Sequence, residues 1–146
     1  MRVHRVVLWM GLLGTAAMAQ SPGAGLFAQH CSACHQPDGS GTVGLAPTLK
    51  GPHWQTLART PEYLPTVILK GLSGRIDVAG QSFVGSMPAF AGQLDDAQVL
   101  AIVSHVHGLQ QRDAEALSLQ DLERLRLQPG SPPQTRQWRI RLLQGQ

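Results

Sequence analysis

The sequence has 146 residues, which is enough for one modest domain and an extension. Hydrophobic residues make up 42% and charged residues 14%, a composition that excludes a wholly disordered chain. The net charge is only +3 with no basic stripe, which argues against nucleic acid as a partner, and two cysteines exclude a multi-disulfide scaffold.

Residues 1–19 have the three parts of a secretory signal peptide. Arg2 and Arg5 give a positive start, an apolar run follows over residues 6–13, and residues 17–19 (Ala-Met-Ala) form a small-residue cleavage site. The apolar stretch is shorter than the roughly 18 residues of a membrane span, so we expect cleavage rather than an uncleaved anchor. Cleavage would leave ten basic and nine acidic residues and no transmembrane segment. We therefore expect a protein that is periplasmic or otherwise exported.

A first helix is predicted to open at Ser21-Pro22 and to run to about Cys34. It carries the motif Cys31-Ser-Ala-Cys34-His35. At this spacing the two thiols can each add to a vinyl group on one edge of a haem, and the histidine can ligate the iron. The alternatives are a disulfide or thioredoxin-like pair, which needs a βαβ context, and a zinc site, which needs four ligands. In an exported chain without other cysteines, the motif favours haem attachment.

Past a turn-rich loop over residues 36–42, the segment 44–49 contains Pro47. Its carbonyl is free to accept a hydrogen bond from the second ring nitrogen of His35, and such a bond would fix the orientation of the imidazole. The chain then predicts a middle helix over residues 60–71, with a kink or a late start at Pro65. A short hairpin over residues 76–84 is predicted to turn at Ala79-Gly80.

Met87 is the candidate for the sixth ligand of the iron. The other three methionines leave with the signal peptide, and Met87 stands in a predicted loop that Pro88 stiffens. A soft thioether suits an iron that carries electrons. Single histidines are more often surface or locally bonded groups, so four rivals rank lower: His30, His53, His105 and His107.

A closing helix is predicted to begin at Asp95 or Asp96, where negative charge is favourable. Residues 111–146 then form a C-terminal extension, with a capping box at Ser118-x-x-Asp121 that starts a short helix. A Pro-rich linker over residues 129–133 precedes an end whose alternating pattern around Trp138 predicts a strand. We expect this extension to fold back on the domain, and a docking segment for a partner protein is the alternative.

Together, these features resemble a class I cytochrome c with a single haem, over Gly23 to Leu109. The resemblance is carried by the following residues: Gly23, Phe27, Cys31-x-x-Cys34-His35, Pro47-x-Leu49, Met87-Pro88 and the closing helix. The stretch over residues 71–90 is similar to cytochrome domains that accompany periplasmic dehydrogenases and copper nitrite reductases. The chain departs from the family at His105, where an aromatic residue is common, and at Ala79, where asparagine is usual.

The resemblance implies an all-α fold around one covalently bound haem c, with a small hairpin before the methionine loop. It places the cytochrome c domain at residues 20–110 and makes the first and last helices cross near Gly23. Cys31 and Cys34 would attach the haem, Pro47 would bond His35, and Leu49 would pack on the ring.

The implied function is single-electron transfer, not enzymatic catalysis. The partners would be a dehydrogenase, reductase or oxidase, and the chain would act as a monomer or as a subunit of a complex. The core over residues 23–110 has four basic and five acidic residues, so it lacks a lysine ring that would steer it towards an acidic oxidase. The alternative is a haem enzyme or gas sensor in which Met87 leaves the iron, although the sequence supplies no evident acid–base pair for catalysis.

Overall fold

A computed structural model describes residues 21–112 and 117–145 of the chain, and the signal-peptide prediction lies outside them. In chain order the elements are α1 (Pro22–His30), α2 (Ser32–His35), α3 (His53–Leu57), α4 (Tyr63–Lys70), β1 (Leu72–Val78), β2 (Gln81–Met87), α5 (Asp96–Leu109), α6 (Leu119–Leu127) and α7 (Pro132–Leu143). No helix in these two ranges is long and apolar enough to span a membrane.

Helices α1 and α5 cross at a glycine, as the family resemblance implies. A Cβ at Gly23 would lie 2.0 Å from the carbonyl oxygen of Ala101, so only glycine allows this approach. Beside the crossing, the rings of Phe27 and His105 pack with their centroids 5.0 Å apart. His105 therefore supplies a ring contact between the helices in place of an aromatic residue.

The first helix is shorter than predicted, because the backbone breaks at the first cysteine. Helix α1 ends at His30, Cys31 adopts φ −121° and ψ −34°, and the short α2 carries the rest of the motif. The break does not separate the two cysteines, since the amides of Cys34 and His35 both donate to the carbonyl of Cys31. The motif therefore keeps a local helical geometry.

The middle helix α4 has the predicted late start. Pro65 is its third residue, where a missing N–H costs no intrahelical bond, and Gly71 ends it at φ 75°. The antiparallel hairpin that follows is longer than predicted and pairs Leu72 with Met87. Met87 is thus the last residue of strand β2, and the prediction that it lies in a loop was wrong.

The extension folds back on the domain. The capping box of Ser118 and Asp121 opens α6 as predicted. Helix α6 packs on α4 and α5, and α7 packs on α3, α4 and β1. The predicted strand at the end was wrong, and so was the linker in part, because Pro132 and Pro133 are the first two residues of helix α7.

One hydrophobic core runs from α1 through α3, α4 and α5 into α6. Phe27, Leu57, Tyr63 and Val99 are each 2% exposed or less. Cys31 and Met87 are partly buried and pack against this same core. The core therefore joins the cysteine motif to the end of the hairpin.

Candidate functional site

The two cysteines differ in their surroundings. The Cys31 thiol is half-buried against the core, the Cys34 thiol is exposed, and neither forms a disulfide. Burial, with a smaller contribution from Cys34, raises the pKa of the Cys31 thiol to about 11. Redox-active cysteines in thioredoxin-like sites have a lowered pKa. The environment of Cys31 therefore disfavours the thiol–disulfide alternative.

His35 is buried, and its Nδ1–H donates a hydrogen bond to the carbonyl oxygen of Pro47 at 3.0 Å. A carbonyl can only accept, so the proton of the neutral ring sits on Nδ1 and the lone pair sits on Nε2. Burial lowers the pKa of His35 more than this hydrogen bond raises it, which keeps the imidazole neutral. A neutral imidazole with an oriented Nε2 lone pair is the form that binds a metal.

A network of hydrogen bonds holds the loop that carries Pro47. The Thr42 hydroxyl donates to the carbonyl of Cys34 at 2.8 Å and accepts from the Gln36 amide at 2.8 Å. The amide of Gly41 donates to the carbonyl of His35 at 2.9 Å. Gln36 and Thr42 were not predictable from the sequence, because such polar pairs across a loop leave no periodic signal. Their bonds tie the Pro47 loop directly to the motif.

Met87 packs against the same hydrophobic core as the first cysteine. Its segment continues to Phe90, whose amide donates to the carbonyl of Ile68 at 2.9 Å. The Phe90 ring meets the ring of His30 edge-on, with centroids 6.2 Å apart. Since His30 directly precedes Cys31, this contact brings the segment after Met87 to the start of the motif.

Close backbone packing at Gly71 also fixes the position of Met87. A Cβ at Gly71 would lie 2.6 Å from the carbonyl oxygen of Met87, so the end of the hairpin lies against the end of α4. Gly71 also needs its positive φ, which a larger residue would adopt only with strain. The sequence showed this glycine only as a helix terminator.

The rival histidines have other surroundings. His30 meets Phe90, His53 lies beside Trp54 with ring centroids 5.7 Å apart, and His105 packs on Phe27. His107 is buried on α5, where burial lowers its pKa. Over the described ranges, no three His, Cys, Asp or Glu side chains form a group that could hold a metal ion, so the zinc alternative has no ligand set there.

The residues present fit a covalently bound haem. The motif offers two free thiols three positions apart, and the next residue is an imidazole whose orientation is fixed by a carbonyl. The thioether of Met87 comes from a different element on the same core. Histidine and methionine are the donor pair of electron-transferring haem iron.

Comparison with known proteins gives the same assignment. The family model described as cytochrome c matches residues 20–110. The chain is 41% identical over 106 residues to a cytochrome c-552 of Thermus thermophilus, covering 71% of this chain and 70% of that protein.

Two longer relatives have names that refer to dehydrogenases. One is named as a dehydrogenase, and the other as the cytochrome c subunit of a dehydrogenase. The dihydro-heme d1 dehydrogenase of Pseudomonas aeruginosa is 36% identical over 121 residues, which are 81% of this chain and 21% of that protein. The gluconate 2-dehydrogenase cytochrome c subunit of Pantoea cypripedii is 34% identical over 110 residues, which are 71% of this chain and 24% of that protein. This chain thus spans a quarter or less of either one. The chain belongs to the cytochrome c family.

Proposed function

We propose that this protein is an exported single-electron carrier with one haem c. Cys31 and Cys34 would attach the haem, and His35 and Met87 would bind the iron. The observation that carries the proposal is the bond from the buried His35 ring to the Pro47 carbonyl, 3.0 Å long, directly beside two free thiols. This geometry, in a member of a family that carries haem covalently, leaves Nε2 as the nitrogen for the iron.

When bound, the haem supplies an iron that alternates between Fe(III) and Fe(II). The chain would control that iron through His35 and Met87. His35 is held by a hydrogen bond that raises its basicity as a ligand. Met87 would supply a sulfur ligand, which would raise the reduction potential. Because His35 and Met87 would both stay bound to the iron, we expect the protein to carry electrons without bond chemistry.

Leu49 has a supporting role in this proposal. It is 9% exposed, and its amide is fixed by a 2.8 Å bond to the carbonyl of Gly39. The side chain belongs to the same core as Trp54. An apolar side chain two residues after Pro47 can pack on the haem ring and exclude water from the ligated face.

The redox partners that we propose are a dehydrogenase, a reductase or an oxidase of the periplasm. Two relatives carry dehydrogenase names, and the signal-peptide pattern of residues 1–19 supports a location outside the cytoplasm. Residues 23–110 carry four basic and five acidic residues and are nearly neutral. Docking would therefore depend on apolar contact more than on electrostatic steering. We therefore expect a weak dependence of the electron-transfer rate on ionic strength.

Replacement of Met87 tests the ligand assignment. The purified Met87→Ala holoprotein should keep its haem through denaturation, lose the weak far-red absorption band of the oxidised parent, and bind cyanide or CO. The matched control is Val84→Ala on the same strand, because Val84 is 75% exposed. That control should behave as the parent does.

Unchanged spectra in Met87→Ala would show that another residue is the ligand. A parent protein that binds cyanide or CO as readily as the variant would instead favour the haem enzyme or gas sensor.

A further inference from the structure

A groove of about 530 Å³ lies between α4 and the two helices of the C-terminal extension. Glu62, Thr66 and Lys70 follow one another at intervals of four residues and form one wall on a single face of α4. The other wall belongs to α6, the loop after it and α7. The described residues that line the groove include none from α1, α2 or the segment 42–49. The groove is therefore separate from the candidate haem site.

Basic side chains outnumber acidic ones around this groove. The cations among its lining residues are Lys70, Arg124 and Arg141, and the one carboxylate is Glu62. Arg124 already pairs with Asp121 at 2.9 Å. Neither Lys70 nor Arg141 forms an ion pair within the described ranges. Two positive charges therefore line the groove without a carboxylate of the described chain to neutralise them.

The α4 wall also carries unused hydrogen-bonding capacity. The Thr66 hydroxyl is buried and has no hydrogen-bond partner in the part of the chain that the structure describes. Lys70 donates to the carbonyl of Arg126 at 2.8 Å, and an ammonium group has three donors. Burial, with a smaller contribution from Arg126, lowers the pKa of Lys70, as expected for a cation that lacks a nearby anion. An anion in the groove would supply the missing acceptors.

The groove is larger than a single small anion needs, and its lining is not only polar. Its volume lies in the range of sites that hold organic ligands. The buried Leu125 and the half-buried ring of Trp138 also line it. Aromatic residues and arginine are enriched where proteins contact one another. A peptide that carries both carboxylates and apolar side chains matches this lining better than inorganic phosphate does.

We propose that this groove binds an acidic segment of a redox partner, with carboxylates on Lys70 and Arg141 and an apolar side chain against Trp138. The inference deepens the proposed function and rests on it, since it names the chemistry of a partner for the electron carrier. Residues 111–146 carry six arginines and four acidic residues, whereas residues 23–110 are nearly neutral. The extension would therefore set the affinity for the partner, and salt would weaken that affinity. The electron-transfer rate within the bound complex would depend on salt only weakly.

The test uses the full holoprotein and a fluorescent hexapeptide in which glutamate and leucine alternate. A second hexapeptide, with glutamine in place of each glutamate, is the matched probe. Fluorescence anisotropy gives the dissociation constants at low and at physiological ionic strength. The control for Arg141→Gln is Arg136→Gln, because Arg136 lies on the same helix and carries the same charge but packs at Gly74 of β1.

We expect the glutamate peptide to bind at least about tenfold more tightly than the glutamine peptide at low ionic strength. Arg141→Gln should weaken binding by about 2–5-fold, because Arg141 is exposed. Lys70→Gln should weaken it by about tenfold, because Lys70 is half-buried. Glu62→Gln should strengthen binding by about twofold, since it removes a like charge from the groove.

The two exposed or half-buried changes keep the test decisive where Lys70→Gln is too unstable to purify. A merely structural role of Arg141 and Glu62 predicts no opposite changes in affinity. Arg136→Gln should bind the glutamate peptide as the parent does. In NMR spectra of the parent, the peptide should shift the amide signal of Gly130 and the indole signal of Trp138, which both line the groove.

The inference is wrong if the two peptides bind equally well, or if Arg136→Gln weakens binding as much as Arg141→Gln does. It is also wrong if inorganic phosphate alone shifts the same NMR signals and the glutamate peptide does not displace it, because the groove would then be a site for a small anion. In each of these cases a haem that survives denaturation of the parent leaves the proposed function standing. A parent chain without covalent haem would refute the proposed function even where the peptide binds.

Discussion

Ala79 occupies the first position of the hairpin turn with φ 50°, a left-handed conformation that disfavours alanine. Gly80 follows at φ 78°, so both central residues have the positive φ of a type I′ turn. Asparagine tolerates the first position better than alanine. Ala79→Asn should therefore raise the free energy of unfolding by about 0.5–1 kcal/mol, measured by urea denaturation of the holoprotein.

The neighbouring Gly80 provides a control in which the expected change in stability has the opposite sign. Nothing lies within 4 Å of a Cβ built on Gly80, so Gly80→Ala would add backbone strain without a steric clash. It should lower the stability by about 1 kcal/mol. Equal stability of both variants and the parent would show that the turn does not constrain the hairpin.

Local chemistry made several site residues predictable from the sequence. The spacing of Cys31, Cys34 and His35 follows from one chemical requirement, and the bond to Pro47 follows from the need of a ligating imidazole for an acceptor. The structure contains that bond. The position of Met87 at a strand end was not predictable from Pro88, because a proline just after a strand resembles a proline in a loop.

At the scale of elements, the crossing of α1 and α5 depends on Gly23. Gly23→Ala would place a methyl group 2.0 Å from the Ala101 carbonyl oxygen, so the helices would have to separate. We expect a loss of about 1–3 kcal/mol in the free energy of unfolding. Gly25 is the control on the same helix, since a Cβ there meets nothing within 4 Å.

Gly25→Ala should raise the stability by about 0.5–1 kcal/mol, because alanine is the better helix former. The two variants therefore differ in sign. A Gly23→Ala protein as stable as Gly25→Ala would contradict the close crossing.

Hydrogen bonds of Arg126 hold helix α6 against the domain. Its Nε donates to the Asp96 carboxylate at 2.8 Å and its Nη2 donates to the Leu94 carbonyl at 2.8 Å, while Nη1 reaches the carbonyl of Ala91. These are charge-assisted bonds on a partly buried side chain. Arg126→Ala should cost about 2–3 kcal/mol of stability, measured by chemical denaturation.

Arg124 is the matched control on the same helix. Its ion pair with Asp121 is short, at 2.9 Å, but the Arg124 side chain is 56% exposed. Arg124→Ala should cost less than about 1 kcal/mol. Equal losses in the two variants would mean that Arg126 acts as an ordinary surface charge.

Helix α7 shows where pattern analysis fails. Trp138, Ile140 and Leu142 alternate with arginines, which is typical of a strand. The buried positions instead include Thr135 and Arg139, which lie four residues apart on one helical face. Because the buried face of α7 is partly polar, the positions of its hydrophobic residues do not show the helical period.

At the scale of the whole molecule, the extension adds a second layer to the cytochrome c domain. The ring of Trp138 meets the ring of Tyr63 edge-on at 5.6 Å, and Lys70 donates to the carbonyl of Arg126 at 2.8 Å. It was predictable that the C-terminal extension folds back on the domain, because the leucines of the capped helix α6 need an apolar surface to pack against. Its contacts depend on long-range partners that no local pattern specifies.

The proposed function requires that one haem is bound covalently to the chain through Cys31 and Cys34. The most direct measurement is the mass and visible absorption of the denatured protein after purification from a host that matures c-type cytochromes. We predict a coloured polypeptide with the added mass of one haem, and a Cys31→Ser, Cys34→Ser variant without it. A colourless parent chain with the unmodified mass of the polypeptide would contradict covalent haem attachment.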